Sequence, residues 1–281
     1  MYYTINKPFQ KREVTFFFCG HFTTCFDTFS SRTFSDKYFD TFFMWSIKIA
    51  AQLYIFKKDV WLKGVPKKIT VNIIINQISL LFTACDIISV KDNAFRGLEN
   101  TLQSLNLATN SLRSVPVVPL RTLRLLSQLD LSDNKITYIP ENAFVTLRLK
   151  TLKLADNNVT ITDNALRGLE TSLKNLNLKG CQLKDIPNAV RDLKGLAFLD
   201  LAQNVLKTLQ PGVLQRLDSL TALNLERNVI QKLHRHVFDG VNDTLSSLSL
   251  LNNLLTEFPL EAIRSLTQLR VRIFELLVPS I

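Results

Sequence analysis

Cysteine is scarce in this chain of 281 residues, with single cysteines at Cys19, Cys25, Cys85 and Cys181. Small secreted domains that depend on disulfides carry many cysteines at short, recurring spacings. Four scattered cysteines do not make such a pattern. The sequence therefore predicts no disulfide framework.

Long hydrophobic runs are also absent. The run FFMWSIKIAAQLYIF at 42–56 is interrupted by Lys48 and is shorter than the roughly 20 apolar residues that a membrane-spanning helix needs. A second apolar stretch, ITVNIIINQISLLFTA at 69–84, contains Asn72, Asn76 and Gln77. These polar residues favour buried strand over a membrane segment.

Aromatic residues are rare after the first quarter of the chain. Residues 1–75 contain 12 of the 19 Phe, both Trp and four of the five Tyr, but only two Leu. We therefore predict a Phe-rich, poorly ordered leader at 1–75, a repeat domain at 76–271 and an off-template tail at 272–281. The leader is either a signal or anchor segment, through which the protein associates with a membrane, or translated non-coding sequence. Its Phe, Lys, Ile, Tyr and Asn all have A/T-rich codons.

The main body of the chain has only a small excess of positive charge. The formal net charge is +10, but residues 1–75 hold 11 basic and 5 acidic residues. The other 206 residues hold 23 basic and 19 acidic ones. A nucleic-acid-binding domain typically has a strong basic excess, so nucleic acid is not expected as a partner.

Catalytic signatures are missing as well. The sequence has no Gly-rich phosphate loop, no nucleophile elbow and no zinc-protease helix motif. The pair His234 and His236 lacks the further ligands that a metal site needs. The protein is expected to be no enzyme and to use no cofactor or metal.

What the sequence does have is one template, L-x-x-L-x-L-x-x-N-x-L, seven times in succession. Successive matches are 23 to 25 residues apart and begin at Leu102, Leu126, Leu149, Leu173, Leu196, Leu220 and Leu245. Such a period predicts a solenoid, in which each coil covers the apolar edge of the next. An eighth coil is expected to begin at Leu266 as LTQLRV, after which the template is lost.

The alternation L-x-L predicts the fold within each coil. It puts two leucines on one face of a short strand and polar residues on the other. Because successive coils run in the same direction, their strands stack in parallel and each return path crosses behind the sheet. The expected fold is a right-handed α/β solenoid with about seven full coils and degenerate ends.

A longer repeat is superimposed on the single coil. DNAFRGLENTLQSLNLATNSLRSVP at 92–116 recurs 71 residues later as DNALRGLETSLKNLNLKGCQLKDIP and again, more divergent, as RHVFDGVNDTLSSLSLLNNLLTEFP at 235–259. That spacing corresponds to three coils. We infer that the array grew by duplication of a three-coil block, with the GLENTL, GLETSL and GVNDTL variants in a loop on the outer side.

The template and the segment ITYIPENAFVTL at 136–147 resemble the typical leucine-rich repeats of extracellular proteins, over about 79–271. The resemblance implies a curved horseshoe with the strands on its concave face. It also implies that the ninth-position Asn bonds to backbone of its own and adjacent coils, as a ladder. These residues are Asn110, Asn134, Asn157, Asn204, Asn228 and Asn253, with Cys85 and Cys181 as structural replacements in two coils.

Members of this class bind proteins or glycans on the concave face. The resemblance therefore implies that the variable strand positions of the template are the candidate ligand-binding residues. The central column reads Asn106, Asp130, Lys153, Asn177, Asp200, Asn224 and Ser249. The flanking column reads Ser104, Gln128, Thr151, Asn175, Phe198, Ala222 and Ser247. Most of these are expected to be solvated strand residues. Phe198 is the hot-spot candidate, because aromatic anchors dominate interfaces.

The resemblance predicts an extracellular or cell-surface module for recognition or adhesion. Its expected partner is a protein, either with or without glycans of its own. The sequons at Asn158 and Asn242 are candidate glycosylation sites. The alternative is a cytoplasmic scaffold or regulatory subunit, because the segment IPNAVRDLKGLAFLDL at 186–201 resembles intracellular repeats. The oligomeric state is not predicted.

Overall fold

The computed structural model describes residues 12–16, 69–74 and 77–273 of the chain. Within them, helical segments are short: α1 (Val117–Leu120), a 3-10 helix (Asn188–Val190) and α2 (Leu260–Ile263). The strands are β1 (Arg12–Phe16), β2 (Ile69–Ile74), β3 (Gln77–Leu81), β4 (Leu102–Asn106), β5 (Gln128–Asp130), β6 (Tyr138–Ile139), β7 (Thr151–Lys153), β8 (Thr160–Ile161), β9 (Asn175–Asn177), β10 (Phe198–Asp200), β11 (Ala222–Asn224), β12 (Ser247–Ser249) and β13 (Val271–Ile273).

One strand from each coil enters a single long sheet. Its order is β1-β2-β3-β4-β5-β7-β9-β10-β11-β12-β13, and every pair from β3 to β13 is parallel. Strands β6 and β8 form a separate parallel pair on the return path. The predicted parallel-strand solenoid of about seven coils is confirmed.

The interior is formed by leucines stacked in register. The strand leucines pair from coil to coil, as Leu129 with Leu152 and Leu199 with Leu223. The second column, represented by Leu131 and Leu201, is fully buried. A coil alone would leave these side chains exposed at both of its edges, so the stacking of coils is what removes them from water.

The buried asparagines form the ladder that the resemblance implies. Asn134 Nδ2 donates to the Leu107 carbonyl of the preceding coil at 3.0 Å and to the Leu131 carbonyl of its own coil at 3.0 Å. Its Oδ1 accepts the Leu112 N–H of the preceding coil at 3.0 Å. One amide therefore satisfies backbone groups of two coils. The pattern recurs at Asn157, Asn204, Asn228 and Asn253.

The chain leaves the sheet through a left-handed residue just before each ladder position. Its φ lies between 51° and 57° in seven coils, counting the degenerate coil with Cys85, although left-handed backbone is unfavourable for residues other than glycine. The fourth coil has Gly180 there, with φ 66°. We attribute the tolerance of this strain to the ladder hydrogen bonds on either side. The seven residues are Ala84, Thr109, Asp133, Asp156, Gln203, Arg227 and Asn252.

The two coils with cysteine in the ladder position turn differently. Each has a second left-handed residue directly after the cysteine, Asp86 in one coil and Gln182 in the other. The Cys181 N–H and the Leu183 N–H then both donate to Asn204 Oδ1, at 3.0 and 2.9 Å. Asn110 Oδ1 likewise accepts two N–H groups, at 3.0 Å each, from Cys85 and Ile87.

Most of the stretch at 69–84 forms strand, as predicted from its polar residues, but as the two strands β2 and β3 and not as one. β2 pairs antiparallel with β3, and β1 pairs antiparallel with β2. The hydrogen-bonding groups on the outer side of β3 are therefore covered by chain from within residues 1–75. The other residues of that segment, including Cys19, Cys25 and the run at 42–56, lie outside the described residues, and the division at residue 75 stays a prediction.

The prediction for the start of the eighth coil is wrong by three residues. Val271 pairs with Ser247 and Arg272 with Leu248, so the coil begins at Leu269 and not at Leu266. Leu269 lies 24 residues after Leu245, which matches the period. Arg272 thus stands in the register of an interior leucine, which is a clear departure from the template.

The loops of the three-coil repeat share one backbone feature. Gly97, Gly168 and Gly240 all have positive φ, between 87° and 94°. A Cβ at Gly168 would approach the Val145 carbonyl oxygen to 2.8 Å, so glycine is required there for space as well as for φ. The position of these loops on the outer side and the duplication itself stay predictions.

Candidate binding face

The open sheet face is the surface formed by side chains on either side of the buried strand leucine in β4 to β12. The two columns proposed from the sequence lie there, in register from coil to coil. Most of their side chains are half-buried, because each is flanked by its counterparts in the neighbouring coils. The structure therefore brings the predicted residues together on one surface.

Most of the central column is engaged with the backbone. Asp130 Oδ1 accepts the Ser132 N–H at 3.0 Å, and Asn177 Oδ1 accepts the Lys179 N–H at 2.9 Å. Each such bond closes a turn at the end of its strand. These side chains thus have a local structural role, which leaves less of their hydrogen-bonding capacity for a ligand. Asn106, Asp200 and Asn224 make the same contact.

Sequence reasoning missed this turn, although its signal is present. Five of seven coils have Asp or Asn directly after the buried strand leucine, and these two residues favour hydrogen bonds to the backbone two residues ahead. Lys153 departs from the pattern. Its ammonium lies 3.3 Å from Asp130 Oδ2 and forms an ion pair on the open sheet face.

The flanking column is linked by contacts between neighbouring coils. Ser104 Oγ donates to Gln128 Oε1 at 3.5 Å, and Asn175 Nδ2 donates to Thr151 Oγ1 at 3.4 Å. These bonds are long and exposed, so they are readily exchanged for bonds to a ligand or water. Gln128 and Asn175 are the more exposed members of the two pairs.

Phe198 lies between Asn175 and Ala222 in the register of the sheet. It is half-buried, so part of its ring remains accessible on the open sheet face. Ala222 beside it has no side chain beyond Cβ. The Phe198 ring therefore has only a small side chain beside it in the following coil.

Asp200, on the same strand as Phe198, is the most buried acid on this face, with 9% of its surface exposed. Burial raises the pKa of its carboxyl above the ordinary aspartate value. The hydrogen bond from the Ala202 N–H and the charge of Lys179 lower the pKa, whereas Glu226 raises it. This part of the face thus combines an aromatic ring with charges of both signs, from Phe198, Asp200, Lys179 and Glu226.

The two cysteines inside the coils are buried thiols in the ladder positions, as predicted. Burial raises the pKa of Cys85 to about 11 and that of Cys181 to about 12. Cys181 Sγ lies 3.3 Å from the Leu154 carbonyl oxygen, where other coils have an amide nitrogen. Both thiols are therefore protonated at neutral pH and fill space in the turn.

His234 and His236 are exposed on the return path, with ring centroids 5.6 Å apart. His236 Nδ1 also lies 3.1 Å from Asp239 Oδ2. Within residues 77–273, no group of three or more potential ligands is arranged to hold a metal ion. The same residues include no helix that is long and apolar enough to cross a bilayer.

The two sequons differ in accessibility. Asn158 is exposed at the turn of the third coil. Asn242 is half-buried: its Oδ1 accepts a 3.4 Å hydrogen bond from the Ser265 hydroxyl, and its backbone carbonyl accepts the Thr267 N–H at 3.0 Å. A glycan therefore fits Asn158 without rearrangement of the coil.

The repeated coils can be compared with known proteins once their geometry is established. A family model described as leucine rich repeat matches residues 100–159, 124–183 and 171–230. The chain is a leucine-rich repeat protein.

The relatives of this leucine-rich repeat protein include a podocan-like protein and chaoptin. Mouse (Mus musculus) podocan-like protein 1 is 36% identical over 177 residues, which cover 60% of this chain and 31% of the relative. Chaoptin of Drosophila melanogaster is 36% identical over 195 residues, 60% of this chain and 15% of the relative. The leucine-rich repeat protein thus spans less than a third of the length of these relatives.

Solved structures agree on the fold. The crystal structure of a TLR13–ssRNA13 complex matches with a TM-score of 0.61 and 33% identity, over 66% of this chain and 26% of that one. The Leptospira interrogans protein LIC12759 matches with a TM-score of 0.58 and 28% identity, over 68% of this chain and 48% of that one. Because one of these neighbours was solved with RNA, the comparisons do not support the expectation that nucleic acid is excluded as a partner.

Proposed function

We propose that this leucine-rich repeat protein is a non-catalytic recognition module at the cell surface or outside the cell, which binds a protein partner through the open sheet face. The observation that carries the proposal is the continuous, in-register surface of seven strands with Phe198 partly exposed among polar neighbours. Seven strands at roughly 4.8 Å give a face about 30 Å long, which suits a protein interface.

The composition of the face supports a protein partner over a small molecule. Its candidate contacts, Gln128, Thr151 and Asn175, are short polar side chains held in weak inter-coil hydrogen bonds. Interfaces place a few aromatic anchors among many adaptable polar contacts. Phe198 has the first role, and the polar residues of the flanking column have the second.

Site-specific photocrosslinking on cells tests which surface is used. A photoreactive phenylalanine analogue is placed at Gln128, Asn175 or Phe198 and, as the control, at exposed Lys184 or Lys207, away from the face. Adducts of one common mass from the face positions alone support the proposal. Equal adducts from the control positions, or adducts only from them, contradict it.

A substitution tests the hot spot once an adduct has been identified. Phe198→Ala should lower affinity for that partner by at least about tenfold, as expected for an aromatic anchor, with little change in melting temperature. If the melting temperature falls while affinity per folded molecule is unchanged, Phe198 packs the sheet and is no anchor.

The compartment is tested separately by peptide mapping of the native protein. Glycan at Asn158 together with a mature terminus beyond residue 68 would support the extracellular proposal. A bare Asn158 in a chain that still begins at Met1 would support the cytoplasmic scaffold. That alternative is favoured by the two buried thiols and by 28% identity over 213 residues to adenylate cyclase of Schizosaccharomyces pombe.

A further inference from the structure

A row of cations lies where successive coils pass from their outer loops into the sheet. We define the basic rim as the exposed side chains of Arg124, Arg148, Lys150, Lys174 and Lys194. The Lys174 N–H donates to the Lys150 carbonyl at 2.9 Å, so these two residues are direct neighbours in adjacent coils. Neighbouring coils are roughly 4.8 Å apart, and the basic rim therefore runs along the solenoid axis.

The charge of the basic rim is not neutralised by ion pairs. Among the residues with described side chains, none of its five members lies within ion-pair distance of an acid, and Arg148 Nη1 instead contacts the Leu147 and Gly168 carbonyls at 3.3 and 3.5 Å. The acids of the adjoining loops are engaged locally. Glu99 accepts the Gly97 N–H at 2.9 Å, and Glu170 accepts the Gly168 N–H at 2.9 and 3.0 Å.

The basic character ends abruptly along the solenoid. In the two coils that follow, Thr221 and Ser246 stand in the register of Lys150 and Lys174, and each donates its hydroxyl to a carbonyl of the preceding coil. The loop residues there include the exposed acids Asp218 and Asp243. The cations are thus concentrated on one half of the edge, which raises the local potential above what the net charge of the repeat region implies.

The side-chain types point to a particular polyanion. Single-stranded nucleic acid is held by successive bases stacked on several aromatic side chains, whereas the basic rim has a single partly exposed ring beside it, that of Phe198, whose N–H donates to the Lys174 carbonyl at 2.9 Å. The core of a protein interface is depleted of charged residues and enriched in aromatic ones, whereas the rim has the opposite composition. A linear array of cations with only one ring beside it suits a chain whose charges lie on its outside.

We propose that the basic rim binds a linear sulfated polysaccharide, whose sulfate groups are contacted by the rim's lysines and arginines along the solenoid axis. This surface adjoins the open sheet face but does not include Phe198. The proposal therefore stands independently of the protein partner proposed above.

The test uses the full-length protein and a size-defined heparin oligosaccharide, with affinity measured at about 50 and 200 mM salt. The rim variant is Lys150→Gln/Lys174→Gln/Lys194→Gln. The matched control is Lys135→Gln/Lys184→Gln/Lys207→Gln, which removes the same charge from exposed residues outside the rim. The rim variant should lose at least about tenfold in affinity, and its salt dependence should flatten by on the order of one unit of slope per contacting lysine removed.

The control variant and Phe198→Ala should retain affinity within about twofold of the unchanged protein, and Lys150→Arg/Lys174→Arg should retain it too, because the charge is kept. Equal losses in the rim and control variants, or no binding of heparin by the unchanged protein at low salt, would overturn the proposal. Tighter binding of a single-stranded RNA with the same number of charges, abolished in the rim variant, would identify nucleic acid as the ligand class and also overturn it. Circular dichroism melting verifies that each variant is folded. If a triple variant does not fold, the single variant Lys150→Gln replaces it and should weaken binding by about two- to threefold.

Discussion

Asn204 is a buried amide whose two ends bond to two different coils. Its Nδ2 reaches the Leu178 and Leu201 carbonyls, both at 2.9 Å, and its Oδ1 accepts the N–H groups of Cys181 and Leu183. The residue is 4% exposed, so water cannot replace these bonds without opening the turn. Asn204 therefore contributes to stability through the hydrogen bonds it makes with buried backbone groups and not through its own polarity.

Asn204→Ala should therefore destabilise the protein strongly. Two buried N–H groups lose their acceptor, and the expected loss is about 2 to 5 kcal/mol in the free energy of unfolding. Chemical denaturation followed by circular dichroism measures it. Asn175→Ala is the control, because Asn175 is exposed and makes one long side-chain bond. Equal effects of the two substitutions would show that the ladder adds no stability beyond that of an exposed amide.

Asp200 makes a pH-dependent contribution with an unusual sign for an acid. Its folded-state pKa is raised by burial, so the folded protein holds the proton more readily than the unfolded chain does. The contribution of Asp200 to stability therefore falls as pH rises from the ordinary value of 3.8 through the raised one. Asp200→Asn keeps the oxygen that caps the Ala202 N–H and removes the charge.

Asp200→Asn should stabilise the protein at neutral pH, and the gain should shrink as the pH falls through the raised pKa towards 3.8, because the unfolded chain then begins to take up the same proton. Urea denaturation of both proteins between pH 4 and 7 gives the difference. Asp92→Asn, at an exposed loop position, serves for comparison. A difference that does not vary with pH, or that grows on acidification, would contradict the assigned sign.

At the scale of the element, a strand of this sheet has too few residues to be stable alone. Most strands are three residues long and make their hydrogen bonds only to the neighbouring coils. The stability of a strand therefore depends on how many neighbours it has. β10 is bonded to β9 and β11, whereas β13 is bonded only to β12 among the described residues.

Hydrogen exchange should follow this difference in pairing. Amides of the segment that contains β10 should exchange at least about tenfold more slowly than those around β13, because the latter open without disrupting a second interface. Mass spectrometry of proteolytic peptides resolves the two segments. Comparable rates in both would indicate that the sheet opens as one unit or that β13 is covered by other parts of the chain.

At the scale of the whole molecule, the coils are interchangeable units in one register. Leucines pair with leucines from β4 to β12, and the same ladder bond connects one coil to the next. Neighbouring coils supply nearly all of the contacts, so stability is expected to be close to a sum over coils and the interfaces between them.

Deletion of residues 149–172, one complete coil, should therefore leave a folded protein. β5 would then meet β9 with leucine opposite leucine, and the melting temperature should fall by a few degrees as one interface is lost. Far-ultraviolet circular dichroism and melting provide the measurement. Deletion of residues 149–160 removes half a coil and should abolish the cooperative transition, since the leucines no longer align. If both deletions behave alike, register is not what holds the coils together.

The coil, its period and its interior can be predicted without a structure, because they depend on local alternation and on a repeat that recurs every 23 to 25 residues. Leucines such as Leu201 were predictable for that reason, whereas the ladder bonds of residues such as Asn204 were predictable only from the resemblance to known leucine-rich repeats. The tertiary structure alone decided what depends on a neighbouring coil or a distant segment. It showed the Asx turns that occupy Asp130 and Asn177, the greater exposure of Asn158 than of Asn242, and the pairing of β1 with β2. It also placed the eighth coil at Leu269, because strand register is a property of two chain segments in contact and is not visible in either one alone.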